Sequence, residues 1–228
     1  MLTIIENAQN SGRKYLNEIE SKQLLKEAGV STSDTRLATS RAEAIALALD
    51  IGFPVVLKIV SQDIVHKSDI GGVKLGLGNA AAVGKAYDEI MGVTKAKQPS
   101  SKIDGASVQN MAKPGVEVII GMSKDPQFGP VLMFGIGGIL VELLKDVSFR
   151  VVPITQRDAR DMIKEIKSFP LLEGYRGSEP ANIKALEDIL LKISAFVAKT
   201  PEIKEMDINP IFARWDNAIA VDARIILE

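Results

Sequence analysis

His66 is the only histidine in this chain of 228 residues, and it is the side chain best suited to covalent chemistry. It lies in the polar stretch SQDIVHKSDIGG (residues 61–72), which has no apolar periodicity and ends in two glycines. An imidazole with an unperturbed pKa of about 6.5 is largely neutral at pH 7 and is a good nucleophile for phosphorus. The alternative is a histidine without a chemical role, satisfied at the surface or in the core. Its polar neighbours disfavour the core, and a loop of this length is often functional.

Lys58 is a second candidate, because it interrupts the apolar run VVLKIV (residues 55–60). A buried ammonium group is costly unless an anion compensates its charge. The position therefore indicates an anion site. The alternative is a lysine on an edge strand whose ammonium group reaches water.

Three polar side chains near the C-terminus form a candidate metal site. Asp207 and Asn209 alternate along a predicted strand, so they share one face of it, and Asp222 falls in the next strand of a predicted hairpin. Magnesium prefers oxygen ligands and usually takes one or two carboxylates together with phosphate oxygens. The pattern predicts a site for one Mg²⁺ across the two strands. The alternative is a set of turn-forming residues, since Asn–Pro and Asp–Asn pairs are common in loops.

Composition excludes several other kinds of function. The chain has no cysteine, which rules out zinc–thiolate, iron–sulfur and thiol-nucleophile chemistry. Its net charge of −1 lacks the basic excess of a nucleic-acid-binding protein. No window approaches the roughly 20 apolar residues of a membrane span, and the N-terminus has no apolar stretch typical of a signal peptide. We expect a cytoplasmic protein that binds neither nucleic acid nor membrane.

The elements that position these residues fall into two halves. In the first half, helices are predicted at 21–28, between Ser40 and Gly52, and after Asn79, and strands are predicted at 55–60 and 73–77. The polar residues 95–104 are predicted to be a hinge. In the second half, several antiparallel strands precede helices at 155–166 and 183–197, and two strands close the chain around 204–212 and 218–225. This order favours two α+β lobes, 1–107 and 108–228, over one doubly wound parallel sheet.

Five segments, in this order, resemble the β subunit of ADP-forming acetyl-CoA synthetases, which are relatives of succinyl-CoA synthetase. They are ESKQLLKEAGV, FPVVLKIVSQDIVHKSDIGGVKLGL, GVEVIIGMSKDPQFGPVLMFGIGG, LVELLKDVSFRVVPI and MDINPI. The resemblance extends from about residue 15 to residue 227 and implies the ATP-grasp fold, in which two α+β lobes enclose a nucleotide. It also implies the family reaction, in which acyl-CoA, ADP and phosphate give free acid, CoA and ATP.

The resemblance implies roles for the residues of the first half. His66 would receive a phosphoryl group from a phosphohistidine of the partner α subunit and pass it to ADP, and Asp63 or Asp69 would orient its ring. Lys58 would neutralise the nucleotide phosphates. The backbone N–H groups of Gly71 and Gly72 would approach the same phosphates.

The resemblance also implies nucleotide contacts near the middle and the end of the chain. The backbone that reads adenine would be that of Val108, Gln109, Asn110 and Met111. Glu117 would lie near the ribose or the metal, and Arg224 would contact phosphates. Succinyl-CoA synthetase has a glutamate where this chain has Asp207, so Asn209 and Asp222 are the preferred Mg²⁺ ligands. Glu142 and Arg150 match the family without an assigned role.

The chain lacks a CoA-binding Rossmann domain and a second histidine, so the resemblance implies a CoA-binding α subunit in an α₂β₂ heterotetramer. Two alternatives stay open. One is a self-contained ATP-grasp ligase that activates a carboxylate as an acyl phosphate, and the other is a non-catalytic subunit that senses nucleotide. The acid that is used, and the preference between ATP and GTP, are not indicated by the sequence.

Overall fold

The fold was analysed in a computed structural model, which describes residues 2–61, 63–64, 67–138 and 145–228. The helices are α1 (Leu2–Asn10), α2 (Glu18–Glu27), α3 (Arg41–Ile51), α4 (Ala80–Lys97), α5 (Gln156–Glu165) and α6 (Ile183–Ala198), with 3₁₀ turns at Phe169–Leu171 and Tyr175–Gly177. The strands are β1 (Tyr15–Leu16), β2 (Thr35–Ala38), β3 (Val55–Ser61), β4 (Val73–Leu77), β5 (Ile103–Asn110), β6 (Val116–Asp125), β7 (Gly129–Ile136), β8 (Val147–Val151), β9 (Ile203–Ala213), β10 (Ala218–Ala220) and β11 (Arg224–Leu227).

The chain forms two compact units, and the smaller is inserted into the larger. The larger unit consists of the chain up to Thr32 together with Lys113–Glu228, and the smaller unit consists of Ser33–Ala112. This division differs from the predicted lobes, 1–107 and 108–228. The chain passes from the smaller unit to the larger after Ala112, so the predicted hinge at residues 95–104 lies within the smaller unit.

Strand pairing explains the difference. Strand β1 pairs with β11, with Tyr15 opposite Ile226, so the N-terminal residues belong to the sheet built by the C-terminal half. Strand β5 pairs with both β2 and β3, which keeps it in the smaller unit. Neither pairing is local in sequence, and for that reason neither was visible in the local patterns.

The larger unit is an antiparallel sheet in the order β1-β11-β9-β6-β7-β8, with β10 beside β9. One face of the sheet packs against apolar side chains of α1, α2, α5 and α6 to form its core. The predicted inward residues of α5, namely Ala159, Met162, Ile163 and Ile166, are all buried. The smaller unit is an antiparallel sheet in the order β2-β5-β3-β4, and α3 and α4 supply apolar residues to its core.

Side-chain caps fix the starts of the main helices. Ser40 accepts from the N–H of Glu43 at the start of α3, and Asn79 caps α4, as predicted. The Glu43 carboxylate reaches back to the N–H of Thr39, not to that of Ser40. Helix α2 begins three residues earlier than predicted, because Asn17 and Glu20 form a complete capping box.

None of the helices in the described residues is long and apolar enough to cross a membrane.

A buried carboxylate joins α5 to α6. Glu187 is 4% exposed; its Oε1 accepts from Arg160 Nε at 3.1 Å. Its Oε2 has no hydrogen-bond partner among the described residues, and Lys184 Nζ lies 4.0 Å from it. We expect Arg160→Met to lower the free energy of unfolding by about 2 kcal/mol, because it removes the charged donor from a buried carboxylate. Urea denaturation followed by circular dichroism measures the loss.

Arg157→Met on the same helix is the matched control, since the Arg157 side chain is 90% exposed and its Nε lies 3.5 Å from Asp161. We expect that change to be nearly neutral. Equal losses in the two variants would show that the Arg160–Glu187 contact does not stabilise the fold.

Candidate functional site

Strand β9 carries the predicted metal ligands on the face that is turned away from the core. Asp207 and Asn209 are exposed, and Ile208 between them is fully buried. This is the alternation that a strand with one buried face requires. The two polar side chains therefore share a face, as the sequence predicted.

Asp222 lies beside Asn209 on the neighbouring chain segment. The N–H of Val221 donates to the carbonyl oxygen of Pro210 at 2.9 Å. In an antiparallel arrangement this contact places the next residue, Asp222, opposite Asn209. Asp222 falls between β10 and β11, not within one continuous strand as predicted, and its carboxylate accepts from the N–H of Ala223 at 2.9 Å.

Arg224 completes this group, because it lies directly opposite Asp207 in the pairing of β11 with β9. The charges of the group act on Asp207. Partial burial raises its pKa, the negative charge of Asp222 raises it further, and the positive charge of Arg224 opposes the rise, so that the pKa lies above the ordinary value of 3.8. The Asp207 side chain retains solvent access, but it lies among enough protein atoms to lose part of its hydration.

The chemistry of this group suits Mg²⁺. Two carboxylates, of Asp207 and Asp222, and the carboxamide of Asn209 offer hard oxygen atoms, and a magnesium site usually completes its shell with water and phosphate oxygens. No cluster of three or more acidic or histidine side chains that could hold a metal ion occurs in the described parts of the chain. Three protein oxygen ligands would leave the other positions of an octahedral Mg²⁺ shell to water and phosphate oxygens.

Asp207→Asn should make the metal-free protein slightly more stable at neutral pH. A raised pKa means that Asp207 contributes stability below its unfolded pKa, and that this stability is lost as the pH rises through its folded pKa. The amide removes the repulsion from Asp222 that remains above that pH. We expect a gain in Tm of about 1–2 °C at pH 7.5 that shrinks toward pH 4, measured by thermal unfolding in EDTA.

The matched control is Asp216→Asn, because the Asp216 carboxylate lies 3.1 Å from Arg214 Nε, and its loss should not raise Tm. If the gain for Asp207→Asn grew toward low pH, the assigned repulsion would be excluded.

Gly121 is a candidate that sequence reasoning missed. It lies directly opposite Asp207 in the pairing of β6 with β9, and a methyl group at this position would come within 3.1 Å of Met133 Cε. Because Gly121 has no side chain, the sheet surface beside the Asp207 carboxylate carries no Cβ atom at this position. The run VIIGM gave no local signal, because only the register of the two strands brings the glycine to Asp207.

Glu117 lies on the exposed part of β6, next to the glycines that follow β7. Its carbonyl oxygen accepts from the N–H of Gly137 at 2.7 Å, and a Cβ atom built on Gly138 would lie 3.5 Å from Glu117 Oε2. Gly138 has φ +67°, which favours glycine. The two glycines thus leave room around the Glu117 carboxylate, whose role in binding stays a prediction.

Lys58 lies on an inner strand of the smaller sheet. Strand β3 is flanked by β5 and β4, and Lys58 is only 6% exposed, which excludes a lysine that snorkels from an edge strand. Its neighbours Leu57 and Ile59 point into the apolar core, so Lys58 is on the opposite face of the sheet. Ser107, directly opposite Lys58, is also fully buried on that face.

Gln109 is the third polar side chain of this face, and it is 1% exposed. It accepts from the hydroxyl of Thr35 at 3.3 Å. Lys58 was noticed because it is a polar residue within an apolar run. The same pattern, polar residues alternating with apolar ones in a buried strand, could have indicated Ser107 and Gln109. The face of the smaller sheet opposite its apolar core therefore carries three buried polar side chains, together with the buried Val56 and Val60.

The end of the stretch 61–72 is an ordered turn, although the sequence predicted a loop without structure. The N–H of Gly72 donates to the carbonyl oxygen of Lys67 at 2.8 Å, and the N–H of Gly71 donates to that of Ser68 at 3.0 Å. Gly71 has φ +78°. This is the pattern of a Schellman turn. The predicted donation of both N–H groups to a phosphate would require this turn to open.

Two predicted residues, His66 and Glu142, lie outside the described residues. Arg150 is described, and its guanidinium group donates to Glu165 at 2.6 Å and to the carbonyl oxygen of Phe149 at 2.7 Å. Arg150 is therefore bound by the preceding residue of its own strand, Phe149, and by the last residue of α5, Glu165.

The backbone predicted to read adenine lies at the end of β5. Val108 and Gln109 pair with strands on both sides. The N–H groups of Asn110 and Met111 donate to the carbonyl oxygens of Asp34 (3.3 Å) and Pro54 (3.1 Å). Recognition of a base by this segment stays a prediction, and these two N–H groups are already used within the smaller unit.

The sequence similarity to known proteins covers almost the whole chain. Residues 7–227 match the family model of the ATP-grasp domain. The β subunit of acetate–CoA ligase [ADP-forming] I from Pyrococcus furiosus is 50% identical over 224 residues, which are 98% of this chain and 96% of that protein. Acetate–CoA ligase [ADP-forming] I from Archaeoglobus fulgidus is 44% identical over 98% of this chain, which covers 32% of that longer protein.

Solved structures agree with the sequence relatives. Acetyl-coenzyme A synthetase 1 of Ca. Korarchaeum cryptofilum, in complex with coenzyme A, Ca-AMPCP and HgCl⁺, matches with a TM-score of 0.98 and 49% identity over 99% of both chains. The same enzyme with coenzyme A and Mg-AMPPCP, its phosphohistidine segment pointing towards the nucleotide binding site, matches with a TM-score of 0.89 and 46% identity over 99% of both chains. The resemblance read from the sequence is confirmed: this chain belongs to the ATP-grasp family and, within it, to the β subunits of ADP-forming acetate–CoA ligases.

Proposed function

We propose that this chain is the nucleotide-binding subunit of an ADP-forming acyl-CoA synthetase, which converts acyl-CoA, ADP and phosphate into free acid, CoA and ATP. The observation that carries the proposal is the 50% identity to a β subunit of this class over almost its full length. The group formed by Asp207, Asn209, Asp222 and Arg224 supports it, because a magnesium nucleotide needs such a set of oxygen ligands and a cation.

The proposed route for the phosphoryl group passes through His66. A ring nitrogen of His66 attacks the phosphorus of a phosphohistidine on the partner, so that one N–P bond forms while the partner's N–P bond breaks. An oxygen of the ADP β-phosphate then attacks the same phosphorus, and His66 leaves as a neutral imidazole. The phosphohistidine segment named for the relative supports this role, and no second histidine exists in the chain.

Other residues bind and neutralise the nucleotide in this proposal. Lys58 counters the phosphate charge from the face of the smaller sheet that lies opposite its apolar core. Asn209 and Asp222, with Asp207, would hold Mg²⁺, which would reduce the repulsion between the ADP β-phosphate and the phosphoryl group on His66. Arg224 lies opposite Asp207 and adds positive charge to the same strand face.

A partner subunit is part of the proposal. The closely similar protein from Pyrococcus furiosus is named as a β subunit, and this chain covers only 32% of the longer ligase from Archaeoglobus fulgidus. We infer that a separate α subunit supplies the CoA site and the second phosphohistidine, in an α₂β₂ assembly. The cytoplasmic location stays a prediction.

The test is co-purification with the candidate α subunit, followed by an assay of CoA release from acyl-CoA. We expect release that requires both subunits, ADP and phosphate. A self-contained ligase would consume ATP with the chain alone. A nucleotide sensor would bind ATP without acquiring an acid-labile, base-stable phosphate, and either result would overturn the proposal.

A further inference from the structure

The start of the histidine segment, residues 61–72, is tied to the residue that precedes β5. The Ser61 hydroxyl donates to the carbonyl oxygen of Lys102 at 2.7 Å, and the Asp63 carboxylate accepts from the N–H of Lys102 at 2.6 Å. The N–H of Asp63 donates in turn to Ser61 Oγ at 3.2 Å. Both backbone groups of Lys102 are therefore bound by side chains of the segment.

This attachment rests on a fixed part of the smaller sheet. Ile103, the residue after Lys102, lies opposite Ser61 in the pairing of β3 with β5. Two residues further on, Gly105 has φ +145°, and a Cβ atom there would overlap the carbonyl oxygen of Ala38. The strand that carries the attachment is thus closely packed against its neighbours on both sides.

An apolar contact strengthens the same attachment. Ile64 is 8% exposed and belongs to the apolar core of the smaller unit, together with Leu57 and Ile59. Ser61 and Asp63 therefore have polar contacts with Lys102, and Ile64 has an apolar contact with the core. We call these residues the first anchor of the segment.

The turn at residues 67–72 is the second anchor. Gly72 accepts from the N–H of Ile59 at 2.8 Å, and a Cβ atom on Gly72 would lie 2.7 Å from Ile59 Cγ2. Only two residues, Val65 and His66, connect the two anchors. Consecutive Cα atoms are about 3.8 Å apart, so the anchors limit where the chain can place the histidine.

Resting on the proposed function, we propose that Asp63 is a positioning residue for phosphoryl transfer: it anchors the segment to Lys102 and is not the acid that orients the imidazole. The sequence left this choice open between Asp63 and Asp69. The carboxylate of Asp63 is engaged by a backbone N–H. Asp69 is exposed and makes no hydrogen bond or ion pair to any residue in the described ranges, and within this proposal we assign the orienting role to it.

The two roles give different pH profiles. A carboxylate that contacts the imidazole stabilises the protonated ring, so its removal moves the pH midpoint of phosphoryl transfer to lower pH. An anchor changes the rate at every pH and leaves the midpoint in place. The rescue pattern differs as well, because an asparagine oxygen can accept from the Lys102 N–H without a charge.

The test uses the complex with its α subunit and the variants Asp63→Ala, Asp63→Asn and Asp69→Asn. For Asp63→Ala we expect ATP formation to fall roughly tenfold in kcat, a loss typical of a misplaced reacting group, with KM for ADP and the pH midpoint unchanged. Asp63→Asn should retain most of the activity. Asp69→Asn should move the pH midpoint down.

Hydrogen exchange at the Lys102 amide reports on the anchor itself. We expect faster exchange in Asp63→Ala than in the parent protein or in Asp69→Asn. A lowered pH midpoint in Asp63→Ala, equal losses in both Asp63 variants, or faster Lys102 exchange without loss of activity would each overturn the proposal. Failure of the proposed function is distinguishable, because the parent complex would then form no base-stable phosphate from ATP.

Discussion

His66→Asn abolishes ATP formation by the complex, with an expected loss in kcat of at least about a thousandfold, the order seen when a nucleophile is removed. Asparagine is polar and fits a similar space, but its amide nitrogen does not attack phosphorus. ADP- and phosphate-dependent CoA release measures the rate. Isothermal titration measures ADP binding, for which we expect a change of less than about threefold.

The control for this variant is phosphorylation of the chain by ATP in the absence of acyl-CoA. The parent chain should acquire one acid-labile, base-stable phosphate, and His66→Asn should acquire none. Full turnover by His66→Asn would exclude His66 as the phosphoryl carrier, whatever the affinity of the variant for ADP.

The second large effect is expected for Asp222→Ala. Asp222 lies opposite Asn209, and its charge raises the pKa of Asp207, so it is close to both other candidate ligands. Its removal leaves one carboxylate and one amide for Mg²⁺. We expect kcat/KM for ADP to fall roughly 100-fold, the order found when one charge-stabilising group is lost, and the Mg²⁺ concentration for half-maximal rate to rise.

Asp216→Ala is the matched control for this variant, because Asp216 lies in the β9–β10 turn and pairs with Arg214 outside the metal group. Its Mg²⁺ dependence should equal that of the parent. An unchanged Mg²⁺ requirement in Asp222→Ala would remove this residue from the metal site.

Local patterns predicted those parts of the fold that neighbouring residues determine. Ser40 and Asn79 begin helices because their side chains bind the backbone three residues ahead. Val73–Leu77 forms the predicted strand. Strand β2 and helix α1 were not predicted, and the division of the chain was misplaced, because β1 meets β11 across most of the sequence.

Prediction of the candidate site was limited in the same way, to contacts between residues near one another in the sequence. The alternation of Asp207 with Asn209 predicted their shared strand face, and the apolar run around Lys58 predicted that this lysine is buried. The contact between Asp63 and Lys102 joins residues 39 positions apart, and Gly121 reaches Asp207 only through strand register. Such contacts depend on the assembled sheet, and short sequence patterns do not encode them.

The smaller unit is an insertion in the chain of the larger unit. The residues of the larger unit just before and just after it, Thr32 and Gly115, both lie at the β9–β10 hairpin. Thr32 bridges to Ala220 of β10, and Gly115 lies against the carbonyl group of Ala213 at the end of β9. Among the described residues, each apolar core draws only on its own unit. We therefore expect the two units to unfold as separate cooperative units. Unfolding of the smaller unit, which contains the stretch 61–72, would then leave intact the larger sheet, which carries Asp207, Asn209 and Asp222.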